Sequence, residues 1–257
     1  MQIATWNVNS IRARLPRVLA WLERVGPEVV CLQETKVVDE QFPIAEMAAR
    51  GYHALVFGQP TYNGVAILSR IPTGSVLRGF PGADDDQERR LIATTISGIS
   101  VVCVYVPNGR EVGSPAYEHK LAWMTRLRTL LRDLASRGEQ LVVCGDFNIA
   151  PGDGDVHDPD RWLGQILCSP AERAVLDDLL RWGMVDVLRR HHPGPGPFTW
   201  WDYRGGAFHR DWGLRIDHIL ATRPLAERCT AVEVHRSERK GERPSDHVPV
   251  VATFTSG

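Results

Sequence analysis

Short β-branched and aromatic runs recur along the chain, and their spacing predicts strands at Ile3–Trp6, Val29–Leu32, His53–Phe57, Val65–Ser69, Leu91–Ile96, Val101–Val106, Leu141–Cys144, Arg215–Ala221, Thr230–Val234 and Val248–Phe254. Between some of them the apolar period changes to that of a helix. Ile11, Leu15, Val18, Leu19 and Leu22 line one face until Gly26-Pro27 ends the run. Tyr117, Leu121, Met124, Leu127, Leu131 and Leu134 make a longer stripe, with Ser114-Pro115 placed as N-cap and first helical residue and Gly138 as the stop. Ser169-Pro170-Ala171-Glu172 has the spacing of a capping box and opens a third helix that Gly183 closes.

Nothing rich in Pro, Gly or Ser divides the chain into blocks. Residues 152–160 and 194–197 read as loops within one domain spanning 1–257, and no repeat or low-complexity tract is present. Strands in this number, mixed with helices, pack best as two sheets with helices outside, an α/β architecture. The 257 residues are 43% hydrophobic and 24% charged, which describes a soluble globular chain with ample core. No apolar run suits a membrane span and no leader pattern opens the chain, so a cytoplasmic protein with no membrane partner is expected. Thirty Lys and Arg against 31 Asp and Glu leave a net charge of −1, so no global positive field advertises a nucleic acid. The five cysteines, Cys31, Cys103, Cys144, Cys168 and Cys229, form no CxxC pair; three lie inside apolar runs, as buried reduced thiols would.

The informative positions are those where acids and amides follow apolar strands. Asn7 and Asn9 come directly after the first strand, on one side of an extended chain. Glu34 follows the second, Asp146 and Asn148 follow Leu141–Cys144, Asp217 interrupts an apolar strand, and Asp246-His247 precedes the last. If these strand ends meet at one edge of two packed sheets, acids, amides and a histidine share a pocket. Hard oxygen ligands of that kind suit Mg²⁺, and the lack of a Cys/His cluster argues against zinc. Each residue also has a plainer reading. Asn7 and Asn9 fit a turn, Glu34 a solvated loop, Asp146 and Asp246 Asx-turns, Asp217 a buried pair with an arginine, and His247 a satisfied hydrogen bond. Their coincidence in one chain favours the shared pocket.

Together the motifs resemble the exonuclease III family of abasic-site endonucleases, within the endonuclease/exonuclease/phosphatase superfamily. The matching pieces are TWNVNSIRAR, LQETK, YNGVAILSR, RRLIATT, VYVPNG, CGDFNIAP, FTWWDYR, LRIDHIL and SDHVPV, in that order from Thr5 to Val250. The resemblance implies a four-layer sandwich of two mixed sheets flanked by helices. It implies Glu34 as the principal Mg²⁺ ligand (Mn²⁺ as a substitute), with Asn7 and Asp246 completing or orienting its shell. It makes Asp146 the base for the attacking water, Asn148 its transition-state partner, and Asp217 with His247 a carboxylate–imidazole pair beside the phosphate. Tyr105 becomes a phenol over that phosphate, Arg90 and Asn108 phosphate contacts, and Trp200 and Leu214 walls of a pocket for a base-less sugar. Whether Asp146, Asn148 and His247 hold a second metal stays open at this stage. Trp201 fits that pocket or the core, and the basic stretch Arg236, Arg239, Lys240 and Arg243 fits a solvated loop or local phosphate contacts.

The chain departs from the family pattern at Asn9, where some relatives carry an acid, at Phe147, and at His218, which points away from Asp217 and is expected to be structural. The implied activity is Mg²⁺-dependent nicking of duplex DNA on the 5′ side of abasic sites, leaving a 3′-hydroxyl, by a monomer. Removal of 3′ blocking groups and 3′→5′ exonuclease activity are implied companions. The alternative is another phosphoesterase of the superfamily, a DNase I-like nuclease or an inositol-phosphate phosphatase. Tyr105 together with Trp200 favours the abasic-site type. A DNA-binding module without catalysis would have lost one of the acids, and all are present.

Overall fold

The computed structural model describes residues 1–82, 88–136 and 140–255. Its strands are β1 (Gln2–Asn7), β2 (Val29–Gln33), β3 (His53–Phe57), β4 (Val65–Ser69), β5 (Thr73–Arg78), β6 (Leu91–Ile96), β7 (Ile99–Tyr105), β8 (Gln140–Asp146), β9 (Met184–Asp186), β10 (Trp200–Trp201), β11 (Gly213–Leu214), β12 (Asp217–Thr222), β13 (Cys229–Val234) and β14 (Val250–Phe254). Its helices are α1 (Ile11–Val25), α2 (Ile44–Ala48), α3 (Pro115–Ala135), α4 (Pro159–Trp162), α5 (Pro170–Trp182), α6 (Val187–His191) and α7 (Arg223–Glu227). Two six-stranded mixed sheets result, ordered β13-β14-β1-β2-β4-β3 and β5-β6-β7-β8-β12-β9, with β10 and β11 forming a separate ribbon.

Strand alternation explains the layering. Ile3, Val29, Cys31, Val65 and Ile67 point from the first sheet into a shared core, where they meet Ile92, Val101, Cys103, Val142, Cys144 and Ile219 of the second. The intervening residues point outward. Ala4, Trp6, Val30 and Leu32 pack on Val18, Trp21 and Leu22 of α1, while Val102, Val104 and Val143 pack on Leu127 and Leu131 of α3 and Leu176 of α5. Both faces of each central sheet are thus covered, which is why those strands read as continuous apolar runs.

The helix signals act as their chemistry requires. Ser10 and Ser114 cap α1 and α3 by accepting the amides of Ala13 and Tyr117. Ser169 and Glu172 form a capping box on α5, and Gly26 ends α1 in the left-handed region. The α3 helix ends at Ala135, and Gly138 lies outside the described residues. Differences from the sequence reading fall on weak patterns. The largely exposed strand β5 and the three-residue β9 carry little apolar alternation. Residues 152–160, read as loop, contain a short 3-10 turn at Asp153–Asp155 and the start of α4. β12 begins at Asp217 rather than Arg215, because Arg215 turns into a buried ion network with Asp155 at 2.6 Å and Asp186 at 2.7 Å. Among the described residues no helix is long and apolar enough to cross a membrane.

Two parallel pairs set the working edge of the molecule. β1 runs parallel to β2 with Asn7 beside Gln33, and β7 runs parallel to β8 with Tyr105 beside Asp146. The pair at β7–β8 needs a glycine one step before the acid: a Cβ on Gly145 would lie 1.8 Å from the Val104 carbonyl oxygen. Gly145→Ala should therefore lower stability by about 3 kcal/mol or more through overpacking against backbone. Urea unfolding of the two proteins measures this, and equal midpoints would contradict the close approach.

Candidate active site

Glu34 leaves the end of β2 in the left-handed region (φ 52°), and Asn148, just beyond β8, does the same (φ 51°). Non-glycine residues in that region are uncommon and strained for a side chain such as glutamate. Their conformations turn two strand exits toward one notch. Asp146, the last residue of β8, sits directly opposite Asp217, the first of β12, across an antiparallel pair. Both carboxylates consequently stand on one face.

His247 completes the group from the segment leading into β14. Its Nδ1 lies 2.9 Å from Asp217 Oδ2 and its Nε2 lies 3.6 Å from Asp146 Oδ2. The Asp217 carboxylate thus pairs with an imidazole, while the nearby Arg215 is occupied by Asp155 and Asp186. Asp217 Oδ1 is buried without a hydrogen-bond partner. Ser245 Oγ accepts the His247 amide and donates to the Asn7 carbonyl, and the His247 carbonyl accepts Trp6 Nε1, so backbone on both sides of the imidazole is tied to β1.

Asn7 lies between the carboxylates. Its Nδ2 donates to Glu34 Oε1 at 2.7 Å and to Asp146 Oδ2 at 2.9 Å, while its Oδ1 accepts the Asn9 amide. Asp146 Oδ1 accepts the Asn148 amide at 2.9 Å, so the Asx-turn and the site are the same arrangement. Asn148 Oδ1 accepts Asn108 Nδ2 at 3.1 Å, and Asn148 Nδ2 donates to the Val106 carbonyl. Asp246 is turned elsewhere: its oxygens accept Asn9 Nδ2 at 2.9 Å and Trp200 Nε1 at 3.0 Å. The Arg90 guanidinium stacks over the Tyr105 ring at 4.7 Å and pairs with Glu88.

The charges follow from burial. Burial drives the Asp146 carboxyl up, the His247 charge opposes it, and Asp217 and Glu34 add to it, giving about 7. For His247 burial disfavours the charge, but Asp217 and Asp146 overcome it and push the imidazole up to about 10. Burial, followed by Glu34 and Asp146, holds the Tyr105 phenol protonated well above its ordinary range. Burial raises Asp246, yet His247 and the donors from Asn9 and Trp200 leave it below the usual carboxylate value.

One atom each from Glu34, Asp146 and His247 lies within 4.8 Å of the others, a spacing that can hold a metal ion. The two carboxylates supply oxygens suited to a hard divalent cation, and the charged His247 stands beside them as an N–H donor. Asn7, Asn148 and Asp217 border this group. Tyr105 faces it from β7 and Asn108 reaches it through Asn148, whereas Asp246 and Trp200 bond each other away from it. Leu214 pairs with Trp200 in the β10–β11 ribbon and is fully buried, and Trp201 is core. His218 is buried and structural, bonded to the Ile149 carbonyl and Arg215. Of the basic stretch, Arg239 is buried beside Tyr203, Arg236 pairs with Asp211, and Lys240 and Arg243 are exposed.

Two lysines escaped the sequence reading. Lys36 Nζ sits 2.8 Å from Glu34 Oε2 and 2.6 Å from Asn9 Oδ1, and its place in LQETK was the available signal. Lys120 is buried beneath Asn108 and Asn148. Its signal was a charge three residues after Tyr117 and four before Met124, on the apolar stripe of α3.

The chain is similar to several known proteins over almost its whole length. The Endonuclease/Exonuclease/phosphatase family matches residues 4–247. The exodeoxyribonuclease III of Haemophilus influenzae is 36% identical over 269 aligned residues, covering 99% of this chain and 100% of that protein. A 3′ phosphatase from Neisseria, solved with a product DNA hairpin, superposes with a TM-score of 0.97 at 45% identity over 100% of both chains. An AP endonuclease from Archaeoglobus fulgidus gives 0.95 at 42% identity, again over 100% of both. With a family model matching residues 4–247 and relatives aligned over almost the whole length, the chain belongs to the Endonuclease/Exonuclease/phosphatase family, in its exodeoxyribonuclease III group.

Proposed function

We propose that this chain is a DNA-repair phosphodiesterase that cuts duplex DNA on the 5′ side of abasic sites and leaves a 3′-hydroxyl. The same notch removes 3′ blocking groups and trims 3′ ends. The observation that carries this reading is the convergence of Glu34, Asp146 and His247, with Asp217 on the far imidazole nitrogen. The exodeoxyribonuclease, 3′ phosphatase and AP endonuclease relatives support it. The chain works as a monomer, and its five buried free thiols suit a reducing cytoplasm.

The donor set fits Mg²⁺, or Mn²⁺ in its place. Glu34 and Asp146 would hold it, Asn7 and Asp246 would orient their neighbours, the Asn148 amide bonds Asp146 Oδ1, and His247 Nε2 stands 3.6 Å from Asp146 Oδ2. When bound, the cation neutralises phosphate charge and stabilises the leaving oxygen. Asp146 accepts the proton of the attacking water, whose oxygen bonds to phosphorus as the bond to O3′ breaks. Asp217 holds the His247 proton on Nδ1, which leaves Nε2–H to donate toward a phosphate oxygen. Asn148 and the protonated Tyr105 supply further donors where charge develops. Arg90 and Asn108 grip the flanking phosphate, and the half-buried Trp200, backed by Leu214 in the β10–β11 ribbon, walls the base-less sugar.

One gel tests the substrate class: an abasic duplex, an intact duplex, a 3′-phosphate end and an inositol polyphosphate, each with Mg²⁺ and with chelator. Cutting of the abasic duplex and loss of the 3′-phosphate are expected with Mg²⁺ only. Asp146→Asn on the same gel should be slowed about 10²- to 10⁴-fold while still binding DNA. Near-normal nicking by that variant would remove Asp146 from the mechanism. Glu34→Gln should weaken Mg²⁺ binding in a calorimetric titration, and an unchanged isotherm would contradict its ligand role.

The pH profile follows from the two shifted groups. Asp146 must be ionised to accept a proton, so the rate at limiting Mg²⁺ should rise as pH climbs through about 7. His247 must stay charged to donate, so the rate should fall again toward about pH 10. Saturating Mg²⁺ should move the acid limb to lower pH, because a nearby cation favours the carboxylate. Rate measurements across this range at two Mg²⁺ concentrations check it; coincident acid limbs would count against Asp146 beside the cation.

A further inference from the structure

Lys120 and Glu172 are both fully buried, one on the core face of α3 and the other in the first turn of α5. The lysine ammonium has three N–H donors and three acceptors: the Asn108 carbonyl at 3.1 Å, the Asn148 carbonyl at 2.6 Å, and Glu172 Oε1. Glu172 in turn accepts the amides of Leu167 and Ser169 and the Ser169 hydroxyl. A buried ion pair is weak evidence for stability, since apolar residues of equal volume often serve as well. Here two of the three ammonium donors are aimed at the backbone of two residues whose side chains reach the notch.

Those two side chains are themselves joined, Asn108 Nδ2 to Asn148 Oδ1 at 3.1 Å. Asn148 also holds a left-handed backbone, which surrounding contacts must maintain. The segments leaving β7 and β8 are thus pinned from below to a single cation, and the distance between their amides is set there. We propose that the Lys120–Glu172 pair is the positioning element that sets the Asn108–Asn148 amides against the scissile phosphate. The pair acts through backbone and does not touch the reacting atoms. This rests on the reading that Asn148 works at a DNA phosphate.

Lys120→Met alone would strand a buried carboxylate and lower stability for that reason. The test is therefore Lys120→Met/Glu172→Gln, which removes both charges and keeps one carbonyl oxygen as acceptor for one of the Leu167 and Ser169 amides. Cleavage of an abasic duplex, DNA affinity and thermal melting are measured beside wild type. The expected result is a kcat lower by about 10²-fold, as for a misplacement near 1 Å, with KM, Kd and Tm close to wild type. A folded double variant with normal kcat would make the pair a packing element and overturn the proposal. Weakened DNA binding with normal kcat would also overturn it, as would a double variant that fails to fold. If wild type itself leaves the abasic duplex intact, the functional reading fails first and this one with it.

Discussion

Carboxylates buried side by side repel one another, and each is pushed toward its protonated form unless positive charge or hydrogen-bond donors share the space. Asp146, Asp217 and Glu34 meet under that constraint. His247 answers part of it, because Asp217 and Asp146 outweigh its burial and keep it charged. The Asn7 amide answers another part by donating to Glu34 and Asp146 together. Lys36 balances the outer Glu34 oxygen. Asp146 still sits near neutrality in its affinity for a proton, so the notch is left short of positive charge. The spacing of Glu34, Asp146 and His247 in such a site could hold a divalent cation.

Two parallel strand pairs deliver this concentration of charge. Parallel neighbours place their carboxyl ends at the same edge, so Asn7 and Glu34 emerge together from one sheet, and Tyr105 and Asp146 from the other. The antiparallel partners β12 and β14 contribute from their beginnings, with Asp217 and the Asp246-His247 segment. The face-to-face packing of small and β-branched side chains, with Cys31, Cys103 and Cys144 among them, brings the two edges close enough for one notch.

Support from beneath is as specific as the notch itself. Gly145 lets β8 lie against the Val104 carbonyl, and α3 presents a lysine rather than an aliphatic residue to the strand exits. Glu172 serves at once as the capping-box residue of α5 and as the partner of that lysine. Helix geometry and site geometry are therefore coupled through one carboxylate, and the left-handed turn at Asn148 is held from three directions.

Much of this was legible in the order of residues. Continuous β-branched runs marked the central strands, Ser114-Pro115 and the Ser169–Glu172 box marked two helix starts, and acids placed after apolar runs marked the edge where chemistry gathers. Each of those signals is local, so it survives in a linear string. The short strand β9, the partly exposed β5 and the small helices carry too few periodic residues to stand out. Lys36 and Lys120 carried signals too, but their partners lie in other segments. That Asp217 binds His247 and leaves Arg215 to Asp155 and Asp186 depends on which way neighbouring side chains point across a formed strand pair. That Asp246 faces Asn9 and Trp200 depends on contacts between segments far apart in the chain. Order along the chain selected the residue types and the strand ends; pairing register and sheet packing chose their partners, because a hydrogen bond between distant residues exists only after the backbone has brought them within 3 Å or so.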